Sequence, residues 1–143
     1  MTEQTLHTAG ITGVGMSFPE KVLTNQDFER MVDTNDQWIV ERTGIRERHI
    51  VEPGTGASVH GTQAAAAALA DAGVAPEDVD LIVVPTVTPD MLFPSTCCLI
   101  QKELGLTNAW GYDVLAACSG FVFALQTVRA QVQAGGIRRA LVV

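Results

Sequence analysis

Cys118 is the residue of this sequence with the clearest chemical potential, because it lies at the step from a predicted strand into a predicted helix. The thiolate is the reactive form of cysteine, and the unpaired N–H groups and dipole of a helix N-terminus favour it. The same N–H groups can bind an oxyanion. Small neighbours on both sides allow a substrate to approach the sulfur, as in a nucleophile elbow: Ala116, Ala117, Ser119 and Gly120. These residues alone support a nucleophile and a buried structural cysteine equally well.

Trp38 and Arg42 form a second candidate site. They are four residues apart in a predicted helix and therefore share a face, so that an aromatic plane and a guanidinium plane can hold a flat base between them. A core tryptophan is the alternative. The nearby Arg46 and Arg48 could attract phosphates or an acidic protein, and solvated surface charge explains them equally well.

The remaining histidines and cysteines have no spacing that indicates chemistry. The three histidines, His7, His49 and His60, lack the neighbouring residues that a general base needs. Cys97 and Cys98 are adjacent, which suits neither a disulfide framework nor a zinc site, and with Leu99 and Leu104 their pattern is typical of a helix packed in the core. No metal site is expected.

Composition sets broad limits on the protein. A chain of 143 residues that is 47% hydrophobic and 17% charged is long enough for one domain with a real core, and no linker divides it. The net charge of −7 argues against a nucleic-acid binder or a binder of anionic membranes. The sequence has neither an apolar run of about 18 residues nor a signal-peptide pattern, so a cytoplasmic location is expected.

Strand and helix patterns alternate along the chain, and this indicates a layered α/β fold with helices on both sides of a largely parallel sheet. Residues 81–84 are a continuous apolar run that is typical of a strand buried on both faces. Further strands are predicted at 11–17, 110–117 and 140–143, with an extended stretch at 45–50. The helices are predicted at 24–32, 33–42, 58–72, 95–104 and 119–134, and the last of these is apolar nearly all round, as buried helices are.

The end of the sequence is unusual for this architecture. Residues 141–143 have the pattern of a core strand, and no helix pattern follows to cover it. A native terminus rarely lies in the middle of a sheet, so the sequence favours a truncated, cleaved or split polypeptide.

Two segments of the sequence resemble signatures of a known enzyme family. Residues 34–49, TNDQWIVERTGIRERH, and residues 113–120, DVLAACSG, are similar to those of the 3-oxoacyl-[acyl-carrier-protein] synthase III family. Residues 81–84, 93–95 and 140–143 fall in matching order, so the resemblance extends over nearly the whole chain.

The resemblance implies a thiolase-like fold of two similar halves, with residues 1–143 as the N-terminal half and the C-terminal half absent. It implies an acyltransferase that starts fatty-acid synthesis: a cysteine takes the acyl group from acyl-CoA, and a carbanion from malonyl-[acyl-carrier-protein] then attacks it with loss of carbon dioxide. Both are substrates, and no other cofactor is implied. The expected partners are acyl carrier protein, a second copy of the chain in a homodimer and the C-terminal half, if that is a separate chain. A relative serving a polyketide or other secondary pathway, and a non-catalytic fragment that contributes a dimer surface, are the alternatives.

The resemblance also implies roles for individual residues. Cys118 matches the acyl-carrying cysteine, Trp38 and Arg42 match positions that sandwich the adenine of CoA, and Thr34 matches one that contacts it. Phe93 matches a dimer-interface residue that reaches toward the partner's acyl pocket, although ordinary packing beside Pro94 would explain it equally well. The histidine and asparagine that support decarboxylation in the family come from the second half.

Overall fold

The computed structural model describes residues 7–143 and groups them in two compact units. The first unit consists of residues 7–17 and Gly56–Val143, and the second is Phe18–Thr55. The sequence has no linker at either junction, so its composition does not reveal this division. Among the described residues, no helix is long and apolar enough to cross a membrane.

The first unit contains three helices and three strands. The helices are α3 (Ala57–Ala72), α4 (Thr96–Leu104) and α5 (Gly120–Gln133). The strands are β3 (Leu81–Pro85), β4 (Trp110–Val114) and β5 (Ala140–Val142), and they form one parallel sheet in the order β4-β3-β5. Short 3₁₀ turns lie at Pro76–Asp78 and Ala117–Ser119.

Strand β3 lies in the middle of this sheet, and its side chains point alternately to two apolar clusters. Ile82 and Val84 pack in a cluster with Leu69 of α3 and Ile100 of α4. On the opposite face Leu81 and Val83 pack with residues that include Ala124 of α5. Helices therefore cover both faces of a parallel sheet, which confirms the predicted layered α/β fold and the buried strand at 81–84.

The second unit contains a two-stranded antiparallel sheet and two short helices. Its elements are β1 (Val22–Thr24), α1 (Asn25–Glu29), α2 (Asp36–Thr43) and β2 (Glu47–His49). A capping box begins α1, because Thr24 and Asp27 each bind the other's backbone N–H. Gly44 ends α2 in the left-handed conformation with φ of 73°.

The prediction of a strand at residues 11–17 is wrong. Among the described residues this segment finds no strand to pair with. It lies instead along α3, where the N–H of Val14 donates to Asp71 at 3.0 Å. A Cβ atom at Gly15 would lie 2.1 Å from the carbonyl oxygen of Ala64, and one at Gly13 would lie 2.5 Å from that of Ala68, so both glycines allow a backbone-to-helix contact that no side chain permits.

The expectation that α5 is buried on all sides is also wrong for the described part of the chain. Phe121, Val122 and Phe123 are all more than half exposed, and only Gly120 and Ala124 of this helix are buried. Two smaller predictions also need correction. The helix predicted from Ser58 begins at Ala57 after Gly56, and the strand predicted to reach residue 117 ends at Val114.

Asp80 joins the beginnings of the three parallel strands. Its carboxylate accepts hydrogen bonds from the N–H groups of Arg138 and Arg139 at 2.8 and 3.0 Å. Its own N–H donates to Arg139, and its carbonyl accepts from Trp110. These backbone donors lower the pKa of Asp80 below its ordinary value of 3.8, because they stabilise the charged form.

Replacing Asp80 should therefore lower stability in a pH-dependent way. We expect Asp80→Ala to lower the free energy of unfolding by about 2 kcal/mol at neutral pH, since two N–H groups lose a charged acceptor. A carboxyl whose pKa is lowered by folding stabilises the protein above its unfolded pKa, and this contribution is lost as the pH falls through the folded value. The difference between the two proteins, measured by urea denaturation, should shrink below about pH 4.

Asp78→Ala is the matched control for this measurement. The carboxylate of Asp78 makes an exposed ion pair with Arg139, with 3.7 Å between the charged atoms. Such pairs contribute about 0–1 kcal/mol. An Asp80→Ala variant as stable as Asp78→Ala would contradict the role given to Asp80.

Candidate active site

Cys118 lies on the 3₁₀ turn that connects β4 to α5, and its side chain is exposed. The turn is closed by two backbone hydrogen bonds, in which Ser119 donates to Ala116 and Gly120 donates to Ala117. Ser119, the residue before α5, makes no side-chain capping bond to the helix. Within the described residues Cys118 is therefore an accessible thiol that is not packed in the core.

Ala117 gives this turn its unusual backbone. Its φ is 45°, in the left-handed region, and it is the only described non-glycine residue with positive φ. An alanine there costs roughly 1–2 kcal/mol because Cβ approaches the carbonyl. The strain lies directly before the sulfur-bearing residue, as expected of a sharp strand-to-helix turn that exposes a nucleophile.

The turn lies at the carboxyl end of the parallel strands. The first residue of α5, Gly120, is buried, and a Cβ atom there would lie 3.0 Å from Cβ of Pro85 at the end of β3. The N–H of Thr86 donates to the carbonyl of Val114 and so ties together the ends of β3 and β4. Ligands of open α/β sheets bind outside the carboxyl ends of the strands, which is where Cys118 is placed.

The three cysteines differ in their surroundings. Cys97 is fully buried, and burial raises the pKa of its thiol to about 12. Cys98 is exposed, which corrects the prediction that it packs in the core; the buried residues of α4 are Thr96, Cys97 and Ile100. Cys97 is therefore a packing residue, whereas Cys98 and Cys118 are accessible thiols.

Trp38 and Arg42 lie in α2 of the second unit and face the same side of the helix. The side-chain oxygen of Asn35 caps this helix by accepting from the N–H of Trp38 at 2.8 Å, and Ile39 is the buried residue of the helix. Trp38 is 54% exposed and does not lie in the core of the described residues.

The guanidinium carbon of Arg42 is 5.8 Å from the centroid of the Trp38 ring. A base between two planes needs about 7 Å, twice the contact distance of carbon atoms. The two groups are therefore too close for a base to lie between them without a movement of Arg42.

Asn25 positions helix α2, and nothing in the sequence indicated this role. It is 1% exposed, and its amide donates to Asp36 at the start of α2 and to the carbonyl of Ile45, both at 2.8 Å. Its amide oxygen accepts from Arg48, whose guanidinium also lies over the ring of Phe28. Arg48 is thus engaged within the unit, whereas Arg46 is exposed.

The other candidate residues have distinct settings. Phe93 is 88% exposed among the described residues. Thr34 is half-buried and lies just before α2, outside the helix in which it was predicted. His60 bonds to the hydroxyl of Ser17, and His49 to the carbonyl of Pro19. Nothing in the described residues groups three metal-ligating side chains.

The chain is similar in sequence to one family of known proteins. The sequence profile of 3-oxoacyl-[acyl-carrier-protein (ACP)] synthase III matches residues 112–143, which include Cys118. Beta-ketoacyl-[acyl-carrier-protein] synthase III of Koribacter versatilis is 52% identical over 135 residues, which are 94% of this chain and 40% of the relative. The chain therefore spans about two fifths of the length of this relative.

Solved structures show the same similarity. The crystal structure of 3-oxoacyl-[acyl-carrier-protein] synthase III from Aquifex aeolicus matches with a TM-score of 0.88 and 45% identity, over 92% of this chain and 42% of that one. The priming beta-ketosynthase of the R1128 polyketide pathway matches with a TM-score of 0.92 and 38% identity, over 99% of this chain and 42% of that one.

The layered sheet, the exposed cysteine on its strand-to-helix turn and these neighbours place the chain among the thiolase-like condensing enzymes. Within that class it belongs to the 3-oxoacyl-[acyl-carrier-protein] synthase III family, as the segments at 34–49 and 113–120 predicted.

The strain at Ala117 can be tested by substitution. Ala117→Gly should raise the free energy of unfolding by about 1 kcal/mol, because glycine adopts positive φ without penalty. The measurement is urea denaturation followed by circular dichroism. Ala116→Gly is the matched control: Ala116 has φ of −144°, so glycine there brings no relief and lowers stability by the entropy cost alone. Equal effects of the two substitutions would contradict the assignment of strain to Ala117.

Proposed function

We propose that this chain supplies the N-terminal half of a condensing enzyme in which Cys118 carries the acyl group. The observation that supports this most directly is the exposed thiol on a strained turn at the N-terminus of α5. The proposed reaction starts fatty-acid synthesis from acyl-CoA and malonyl-[acyl-carrier-protein].

The chemistry proceeds in two steps. The thiolate of Cys118 attacks the thioester carbonyl of acyl-CoA, the oxyanion forms near the N–H groups at the start of α5, and CoA leaves as a thiol with the proton taken from the cysteine. Malonyl-[acyl-carrier-protein] then loses carbon dioxide, and the carbanion left behind attacks the acyl-cysteine thioester. A carbon–carbon bond forms, the Cys118 thiolate leaves, and the product is a 3-oxoacyl-[acyl-carrier-protein].

The decarboxylation in the second step needs polar groups, and we do not assign them to residues of this chain. His49 and His60 are engaged with Pro19 and Ser17. We therefore assign decarboxylation to the histidine and asparagine implied by the family resemblance, from the part of the relatives that this chain does not match. A cytoplasmic location belongs to the same proposal, since both substrates are carried by CoA and acyl carrier protein.

The CoA site is proposed on α2 and just before it. The exposed ring of Trp38 and the Arg42 guanidinium above it would hold the adenine, with Thr34 beside them. Arg46 remains exposed to meet the phosphates or the acidic carrier protein. Phe93, almost fully exposed, is proposed to lie at the interface with a second copy of the chain.

A second candidate function is priming in a polyketide pathway. The match to the R1128 priming ketosynthase, with a TM-score of 0.92, supports this second candidate. A panel of acyl-CoA substrates of increasing length, with fatty-acid and polyketide carrier proteins offered separately, distinguishes the two: transfer to the polyketide carrier protein alone would overturn the fatty-acid assignment.

Acyl transfer to Cys118 can be measured directly. Incubation with labelled acetyl-CoA, followed by proteolysis and mass spectrometry, should place one acyl group on the peptide that contains Cys118. Cys118→Ser should abolish the label. Cys98→Ser is the matched control because Cys98 is the other exposed thiol, and it should leave labelling unchanged. Label on Cys98 alone, or no label when the rest of the enzyme is present, would favour a non-catalytic fragment.

The base clamp has its own test. Trp38→Ala should weaken acetyl-CoA binding about tenfold or more, since stacking of a base on an aromatic ring contributes about 1–3 kcal/mol. Binding is measured by calorimetry. Acetyl-pantetheine, which has no adenine, should bind both proteins equally.

Trp110→Ala is the matched variant, because Trp110 is 50% exposed and lies in the other unit. It should bind acetyl-CoA like the unchanged protein. An equal loss in both tryptophan variants, or a loss with acetyl-pantetheine too, would place the adenine elsewhere.

A further inference from the structure

The loop of residues 86–95, between β3 and α4, ends in an apolar tip. Leu92 is 99% exposed, Phe93 88% and Met91 47%. Leu92 and Phe93 therefore pack against almost nothing among the described residues, and they do not fix the loop that carries them. The position of the tip must therefore come from the residues that hold its two flanks.

Asp90 holds the first flank by capping a helix from another part of the chain. Its carboxylate accepts from the N–H of Ser58 at 3.0 Å and from the Ser58 hydroxyl at 2.7 Å. Ser58 lies in the first turn of α3, whose N-cap residue, Gly56, has no side chain to offer. The loop thus supplies the cap that α3 lacks.

Gly56 is shaped for this arrangement. A Cβ atom at Gly56 would lie 1.7 Å from Oδ1 of Asp90, so no side chain fits there while Asp90 keeps this position. The backbone of Gly56 is nevertheless extended, with φ of −83° and ψ of 165°, the conformation of an ordinary N-cap residue. Glycine is therefore needed there because Asp90 occupies the space of the missing cap.

The second flank is held in the same way. Ser95, the N-cap of α4, makes no side-chain capping bond. Asp113 of β4 replaces it, accepting from the N–H groups of Thr96 and Cys97 at 2.7 and 2.9 Å. The loop is therefore held on both sides of its tip by a carboxylate. Asp90 belongs to the loop itself, and Asp113 belongs to β4 of the sheet.

We propose that Asp90 is a positioning residue that fixes Phe93 at the interface with a second copy of the chain, by tethering the loop to α3. The proposal rests on the interface role proposed above for Phe93. In this proposal the Asp90 carboxylate has two effects. It caps α3, which affects stability, and it tethers the loop, which affects association of the two copies.

The two consequences can be separated because Gly56 can take over the cap. Asp90→Ala removes both cap and tether. Adding Gly56→Asp to that variant returns a capping carboxylate to α3, in the space that Asp90 has vacated, and leaves the loop free. The experiment uses the full-length gene product and compares four proteins. They are the unchanged protein, Asp90→Ala, the double variant with Asp90→Ala and Gly56→Asp, and Phe93→Ala. It measures the urea midpoint, the dimer dissociation constant by sedimentation, and amide hydrogen exchange at residues 91–93.

We expect Asp90→Ala to lower the urea midpoint and weaken the dimer. The double variant should recover the midpoint, yet its dimer should stay about tenfold weaker, close to Phe93→Ala, and residues 91–93 should exchange faster than in the unchanged protein. Recovery of the dimer and of slow exchange in the double variant would overturn the proposal, since Asp90 would then only cap α3.

The interface role of Phe93 can be refuted independently of the tether. A Phe93→Ala dimer as tight as the original would overturn the interface and with it the proposed consequence of the tether for association. Hydrogen exchange in the double variant reports on the tether itself in either case.

Discussion

Burial of β3 is the constraint on which the first unit depends. Four consecutive side chains, Leu81, Ile82, Val83 and Val84, are at most 5% exposed, and each contributes roughly 1.5–3 kcal/mol by leaving water. Burial on both faces requires helices on both sides, and pairing on both edges requires β4 and β5. The turn that presents Cys118 is fixed to this strand, because the first residue of α5 packs on its last residue, Pro85.

Carboxylates from distant parts of the chain hold the ends of these elements. Asp80 binds two N–H groups before β5, Asp90 binds the N–H and the hydroxyl of Ser58 at the start of α3, and Asp113 binds two N–H groups at the start of α4. Each binds backbone donors that would otherwise lack a charged acceptor, and the bond is strong because the acceptor is charged. Part of the acidic excess of the sequence is therefore structural.

The sequence predicted what depends on neighbouring residues and missed what depends on distant ones. The Thr24 capping box, the left-handed Gly44 and the buried β3 follow from local patterns, and all are present. The strand expected at 11–17 is absent because pairing needs a partner that local propensity cannot supply.

The same distinction holds for the candidate site. Cys118 and the Trp38–Arg42 pair could be named from spacing and resemblance. The strain at Ala117 and the network around Asn25 could not, because neither a positive φ at an alanine nor a buried amide has a signature in sequence. A lone carboxylate in the otherwise uncharged strand β4, Asp113, was the one available signal for the cap on α4.

Gly13 and Gly15 carry a consequence for how this chain can vary. Both touch the backbone of α3 so closely that even a methyl group would collide with a carbonyl oxygen. Neither lies in the Cys118 turn or in the Trp38 clamp. In a saturation library selected for folding they should tolerate replacement as poorly as core residues, although their surroundings are largely open to solvent. Intolerance at such positions records the approach of two backbones and carries no information about catalysis.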